Sequence, residues 1–235
     1  MPPFATVCLV SRVRPCCRYF ALRKMYLVHA VIQVLLATQE NPPILNCFGL
    51  HEWAMQYQPP GAPEPPSRQY QELPLRVSQE QINAAVERRG VRCTHVDALR
   101  FFADAAKPLN KYGDLVRRDQ ARLEQPACVH AQMDLLKIAL KLAPFGPSET
   151  LGDALQVSIE ARRLDVAASP YDASGYGLEP IRIETPEGRI AYREAQLTLM
   201  EASAPVRAAL ASQFSTLLEL HGKDGGNVLV SGAGH

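Results

Sequence analysis

"PACVHAQMDLLKIALKLAPFGPSETLGDALQVSIEARRLDVAA", residues 126–168, decides the fold class. Leu135, Ile138, Ala139 and Leu142 recur at three- and four-residue spacing, the period of one face of a helix. Pro126 suits a first helical turn, where its missing N–H would have no partner anyway. "APFGP" interrupts the pattern, and Ser148 is placed to cap a second helix that runs to Ala168. Two long helices follow each other with no strand between them, which predicts helix packed on helix.

The flanking sequence extends that reading. "LRKMYLVHAVIQVLLATQ" (22–39) is amphipathic at helical spacing and stops before Asn41-Pro42-Pro43. "SQEQINAAVERRG" (78–90) carries a capping box, Ser78 with Gln81, and a glycine stop at Gly90. Further helices are predicted over "LHEWAMQY" (50–57), "THVDALRFFADAA" (94–106) and "DLVRRDQARL" (114–123). "TPEGRIAYREAQLTLMEA" (185–202) has Thr185 as cap and Pro186 in the first turn, and "PVRAALASQFSTLLEL" (205–220) reads as a separate last helix. "IRIE" (181–184) is the one strand candidate, and "SPYDASGYGLEP" (169–180) is a loop. The prediction is a mainly α fold: a single helical-bundle-like domain with at most a short strand.

Its expected limits are residues 25–220, with a proline-rich loop at 58–68 that cannot pack as a regular element. Residues 221–235 are glycine-rich and expected to be disordered. Residues 1–24 carry Arg12, Arg14, Arg18, Arg23 and Lys24, and the first acidic residue is Glu40. That composition suits a transit peptide or an altered start. The expected location is intracellular, in a plastid or mitochondrion if the segment is a transit peptide. The net charge of +1 provides no global field towards nucleic acid or acidic lipid. No apolar run approaches the ~20 residues needed to span a bilayer, so no membrane partner is expected. Six cysteines in a chain of 235 residues with 47% hydrophobic content need not act as staples, and the thiols are read as reduced.

Three short stretches carry the chemistry. "CFGLHEW" groups Cys47, His51 and Glu52; "CTHVD" groups Cys93, His95 and Asp97; "CVHAQMD" groups Cys128, His130 and Asp134. Each has an ordinary structural reading. Thr94 and Asp97 fit a helix cap, Glu52 favours a helix start, and His130 and Asp134 lie four apart on one helical face. Together they hold three of the six histidines, each near an acid and a helix start. Histidine with carboxylate is the vocabulary of catalytic zinc and non-haem iron. The candidate metal ligands are His51, His95, His130, Asp97 and Asp134. In a two-histidine, one-carboxylate set, His95 and Asp97 would need His51 or His130. A thiolate nucleophile fits less well, because cysteine and histidine two residues apart on a helix face different sides.

"CFGLHEWAMQY", "CTHVDALRFFADAAKPLN", "LEQPACVHAQMDLLKIALKLAPFGPSE", "LDVAASPYD" and "RIETPEGRIAY" resemble, in that order, a family of bacterial and algal proteins labelled 3-methyladenine DNA glycosylase. The resemblance covers residues 30–210. Polar residues that match its pattern are His51, Glu52, His95, Asp97, Arg100, His130, Asp134, Tyr171, Asp172, Arg182 and Glu184. The resemblance implies a DNA-repair hydrolase that cleaves the N-glycosidic bond of an alkylated base. A flipped base would stack on Trp53 or Tyr57, with Tyr171, Asp172 and Arg182 as further substrate contacts. Asp97 or Asp134 would stabilise the oxocarbenium-like sugar or activate water, with Glu52 and Arg100 beside them. The chain departs from this pattern twice. It has no Leu-Pro-Gly-Val-Gly hairpin of the helix-hairpin-helix glycosylases. "MPPFATVCLVSRVRPCCRYFALRK" stands where the family has a longer region with a His-Pro segment and an aromatic run, so the N-terminal part is expected to be missing or replaced.

Three functional readings therefore stand at the level of sequence. One is base excision on damaged DNA. Another is a zinc- or iron-dependent hydrolase or oxygenase acting on a small molecule. The third is a non-catalytic helical interaction module.

Overall fold

The structure, a computed structural model, describes residues 14–70 and 72–226, with the side chains of 27–68 and 72–220. Eight α-helices occur among the described residues: α1 (Arg14–Glu40), α2 (Leu50–Met55), α3 (Gln79–Glu87), α4 (Val96–Leu99), α5 (Gln120–Leu123), α6 (Val129–Leu142), α7 (Ser148–Ala168) and α8 (Pro186–Gly226). Short 3-10 turns lie at Pro66–Tyr70, Asp104–Leu109, Arg117–Asp119 and Ser174–Tyr176. The only strand-like pairings among the described residues are two isolated bridges, Leu75 with Tyr171 and Val91 with Asn110. The mainly α architecture is as the sequence predicts.

Helices α6 and α7 form the central pair, joined by residues 143–147, and α8 packs against both. Helix α1 lies along α8 and also meets α5, while the short α2 and α3 sit together at one end. The spacing of the buried residues of α8 explains its role. Tyr192, Gln196, Leu199, Ser203, Val206, Leu210, Phe214 and Leu217 are buried at three- and four-residue steps, the seam of a bundle helix.

Several local expectations change. The two predicted C-terminal helices are one, with Pro205 inside α8. A proline in a helix interior costs about 3 kcal/mol. Here its position is exposed, and buried Ser203, Val206 and Arg207 anchor the backbone on both sides. "IRIE" is a turn: the Ile183 N–H donates to Ile181 O (2.9 Å) and the Thr185 N–H to Arg182 O (2.9 Å), leaving no extended run to pair. The helix predicted over 94–106 ends after Leu99. The Ala103 N–H donates across to Ala54 O in α2 (3.1 Å), which docks buried Phe102 and Ala103 there. Helix α6 starts at Val129 with Cys128 at its N-cap, so Pro126 precedes the helix rather than forming its first turn. Pro147, not Ser148, is the N-cap position of α7.

The sequence signals at other ends hold. Ser78 and Gln81 form the reciprocal capping box, Gly90 is left-handed at φ 67°, and Thr185 Oγ1 accepts the Gly188 N–H (3.0 Å). Among the described residues, no helix is long and apolar enough to cross a membrane. Helix α1 begins at Arg14, inside the predicted leader, and α8 continues to Gly226. The leader and tail expectations otherwise fall on residues outside those described.

Candidate metal centre

Three helix starts converge. Phe48 and Gly49 both take positive φ (50° and 65°), a reversal that brings the chain into α2 with His51 in its first turn. A side chain at Gly49 would meet Ala168 Cβ at 3.4 Å and the Tyr192 ring at 3.5 Å, so the reversal fits tightly between α7 and α8. Trp53, fully buried, donates its indole N–H to Ala168 O (2.9 Å) and ties α2 to the end of α7. His95 is the N-cap residue of α4. The segment before it is clamped by buried Asn110, whose side chain accepts the Cys93 N–H (3.0 Å) and donates to Cys93 O (3.2 Å). His130 is the second residue of α6.

The result is a row of imidazoles. The rings of His51 and His130 meet edge to face at 4.4 Å between centroids, and His95 stacks on His130 at 4.8 Å. Both outer histidines have a carboxylate. His51 Nε2 lies 2.7 Å from Asp165 Oδ1, and His95 Nδ1 lies 3.1 Å from Glu124 Oε2. Asp165 and Glu124 are 1% and 2% exposed, so each pair is shielded from screening by solvent.

Electrostatics separates the three rings. Burial pushes His51 towards neutrality, but the charge and hydrogen bond of Asp165 outweigh it, and its pKa is raised. Burial acts the same way on His95, and Glu124 reverses it. His130 is held well below the usual imidazole range by burial and by its two imidazole neighbours, despite the pull of Asp165. Burial raises Asp165 too, yet His51 holds its carboxylate well below the usual range. Arg162 adds a bond to the other Asp165 oxygen (2.8 Å). Glu52, 3.6 Å from the same guanidinium, is raised by burial and by the Asp165 charge.

Three sets of donor atoms lie within 4.8 Å of one another: His51 with His130 and Asp165; His95 with Glu124 and Cys128; and His95 with Asp97 and Asp134. The two-histidine, one-carboxylate composition is therefore present, but with a different carboxylate from the one expected. Asp165 completes it, whereas His95 and Asp97 meet Asp134 rather than a second histidine. A cavity of ≈ 20 Å³ lined by His51, His130, Cys47, Cys93 and Cys128 adjoins the rings, room for about one water or one ion. The three thiols are free. Burial raises all of them, Cys93 to about 12, which keeps them protonated and unsuited to act as nucleophiles at neutral pH.

The remaining candidates divide. Asp97 binds Arg117 (2.6 Å), Arg100 (3.4 Å) and Lys137 (3.7 Å) at the rim of the His95 side. Asp134 lies 4.0 Å from His95 Nε2 and 3.2 Å from Lys137. Arg100 is exposed and reaches the cluster only through Asp97. Trp53 and Tyr57, implied as stacking partners of a base, are core residues: the indole is fully enclosed, and the Tyr57 hydroxyl donates to Glu87 (2.8 Å). Tyr171 is buried and its hydroxyl accepts from Gln56 (3.1 Å). Asp172 is exposed and closes a local turn onto the Ser174 N–H (3.0 Å). Arg182 is exposed, and its carbonyl accepts the Thr185 N–H. Asp165, Glu124 and Arg162 were not among the predicted site residues. Asp165 had one sequence signal: it is an acid within the apolar stripe Ala154, Val157, Ala161, Leu164 and Ala168 of α7.

No family model, no curated protein and no solved structure matches the chain.

Proposed function

We propose that the chain is a metal-dependent enzyme whose centre is His51, His130 and Asp165, with zinc or ferrous iron as the metal. The observation that carries this reading is the set of two imidazoles and one carboxylate within 4.8 Å, with His51 and Asp165 buried and His130 half-buried, beside a cavity the size of an ion. Neutral imidazole is the ligand form, and His130 is held neutral. Nε2 of His51 and Oδ1 of Asp165 are 2.7 Å apart. That is closer than two atoms each about 2 Å from one metal at tetrahedral angles. Loading would therefore displace the proton they share and widen the pair slightly. His95 with Glu124 lies beside the centre as a second buried acid–base pair. A metal there would supply Lewis-acid polarisation and a coordinated water of lowered pKa.

The test is metal analysis of purified protein after exposure to zinc or ferrous iron, with His130→Ala and Asp165→Asn beside the wild type. Near-stoichiometric metal in the wild type, lost in both variants, is the expected result. Wild-type protein that binds neither metal ends this reading.

Base excision is kept as a second reading because Asp97 sits at the rim beside three exposed cations, Arg100, Arg117 and Lys137. Such cations are what a nucleic-acid backbone would meet. Base release from alkylated DNA, assayed with and without chelator, separates the two. Release from metal-free protein that is abolished by Asp97→Asn favours the glycosylase. A protein with neither metal nor release is better described as a helical interaction module.

A further inference from the structure

A second pocket adjoins the histidine cavity and has a different chemistry. Arg88, Arg89, Arg92 and Arg189 line it, with Phe48 and Leu50 as apolar walls. Its volume, ≈ 50 Å³ against ≈ 20 Å³ for the histidine cavity, admits a polyatomic group rather than a single ion. Its one acidic residue, Glu184, is already matched by Arg76, which binds both carboxylate oxygens (2.7 and 3.1 Å). Among the described residues, Arg88, Arg89 and Arg92 make no ion pair with any carboxylate. Arg189 spends one nitrogen on the Ile183 and Glu184 carbonyls.

The backbone that carries these cations is fixed. Gly90 turns in the left-handed region at φ +67°, so Arg88 and Arg89 before it and Arg92 after it face one space. A Cβ at Gly90 would lie 2.7 Å from Leu109 O, so only glycine makes the turn this tight. Val91 then pairs with the Leu109–Lys111 segment (3.0 and 2.9 Å), and Cys93 is held through both backbone groups by Asn110. Arg92 stands between these two anchors and lines both the arginine pocket and the histidine cavity. Arg88 and Arg89 are exposed and Arg92 and Arg189 half-buried around this space, and guanidinium groups grip a carboxylate or phosphate through bidentate hydrogen bonds.

We propose that this pocket binds the carboxylate or phosphate of a small organic anion, placing it against the histidine centre as its substrate. The statement about substrate rests on the metal-centre reading; the binding itself does not.

The probes are benzoate and phenyl phosphate, with benzyl alcohol as a neutral analogue of similar shape. Binding to the full chain is measured by calorimetry, once after zinc loading and once after chelation, with metal content read on the same samples. At least one of the two anions should bind, and the pair of arms shows whether carboxylate or phosphate is preferred. Benzyl alcohol should bind at least about tenfold more weakly. Arg92→Gln and the double variant Arg88→Gln/Arg89→Gln should each weaken the anion about tenfold, the scale of one lost charge-assisted contact. Arg163→Gln, an exposed change on α7, is the control and should stay within about twofold. Thermal melts confirm that each variant is folded. No binding of either anion, or equal binding by the arginine variants, overturns the proposal whatever the metal content. Anion binding by protein that never takes up metal leaves the pocket standing and removes only the metal centre beneath it.

Discussion

His130 has an imidazole on each side and, among the described residues, no carboxylate bond of its own, unlike His51 and His95. Burial and those neighbours hold it neutral, so its ring is ready to coordinate without first losing a proton. His51 is different, because Asp165 favours its protonated form. Asp165→Asn keeps the side-chain shape and removes the charge. Metal affinity should then fall by at least about 10–100-fold, the range for losing a carboxylate that orients a ligand, as measured by competition with a chromophoric chelator. Unchanged affinity would place the metal elsewhere. The histidines were legible in sequence because each sits next to an acid. Their actual partners were not, because Asp165 lies 114 residues from His51 and Glu124 lies 29 from His95. Local spacing instead pointed to Asp97, which lies near His95 and Asp134 but is paired with Arg117, Arg100 and Lys137 rather than with a second histidine.

Elements were most legible where their ends are set by local chemistry. The Ser78–Gln81 box and the Gly90 stop are satisfied by groups a few residues away, so sequence alone contains both partners. Pro205 and "IRIE" misled because their outcome depends on packing: α8 passes through the proline on the strength of its buried seam, and a short apolar run without a neighbouring strand becomes a turn. Two glycines give opposite predictions for the same substitution. Gly90→Ala forces a side chain into positive φ and against Leu109 O, and should destabilise by about 1–3 kcal/mol. Gly152 lies in α7 with nothing within 4 Å of an added Cβ, so Gly152→Ala should stabilise by about 0.5–1 kcal/mol. Urea titrations of the two variants should move the midpoint in opposite directions. A shared direction would mean that the turn at Gly90 is not held as described.

At the scale of the molecule, the turn before α8 is tied to the segment before α3 by a half-buried charge pair, Arg76 with Glu184, and this pair gives a pH dependence. Burial raises Glu184, but its hydrogen bonds from Arg76 outweigh that, so its pKa is lowered on folding. A depressed carboxylate contributes stability that is fully present above its unfolded pKa, about 4.3, and is lost as pH falls through the folded value. Wild-type stability should therefore drop below about pH 4.5, and Arg76→Gln should make that drop shallower while lowering stability at pH 7. Urea midpoints measured at pH 3, 4, 5 and 7 would show it, and parallel profiles for the two proteins would remove Arg76 as the cause. The metal centre couples larger pieces, since His51, His130 and Asp165 come from α2, α6 and α7. An ion held by all three binds only when those helices are assembled, so binding adds directly to the free energy of folding. At a free concentration 100 times its dissociation constant the gain is about 2.7 kcal/mol, which raises the melting temperature of a chain this size by about 5–10 °C. Chelation should reverse the shift, and Asp165→Asn should abolish most of it without changing the melt of the metal-free protein by the same amount. A melting temperature that neither zinc, iron nor chelator moves would mean that no such ion bridges these helices.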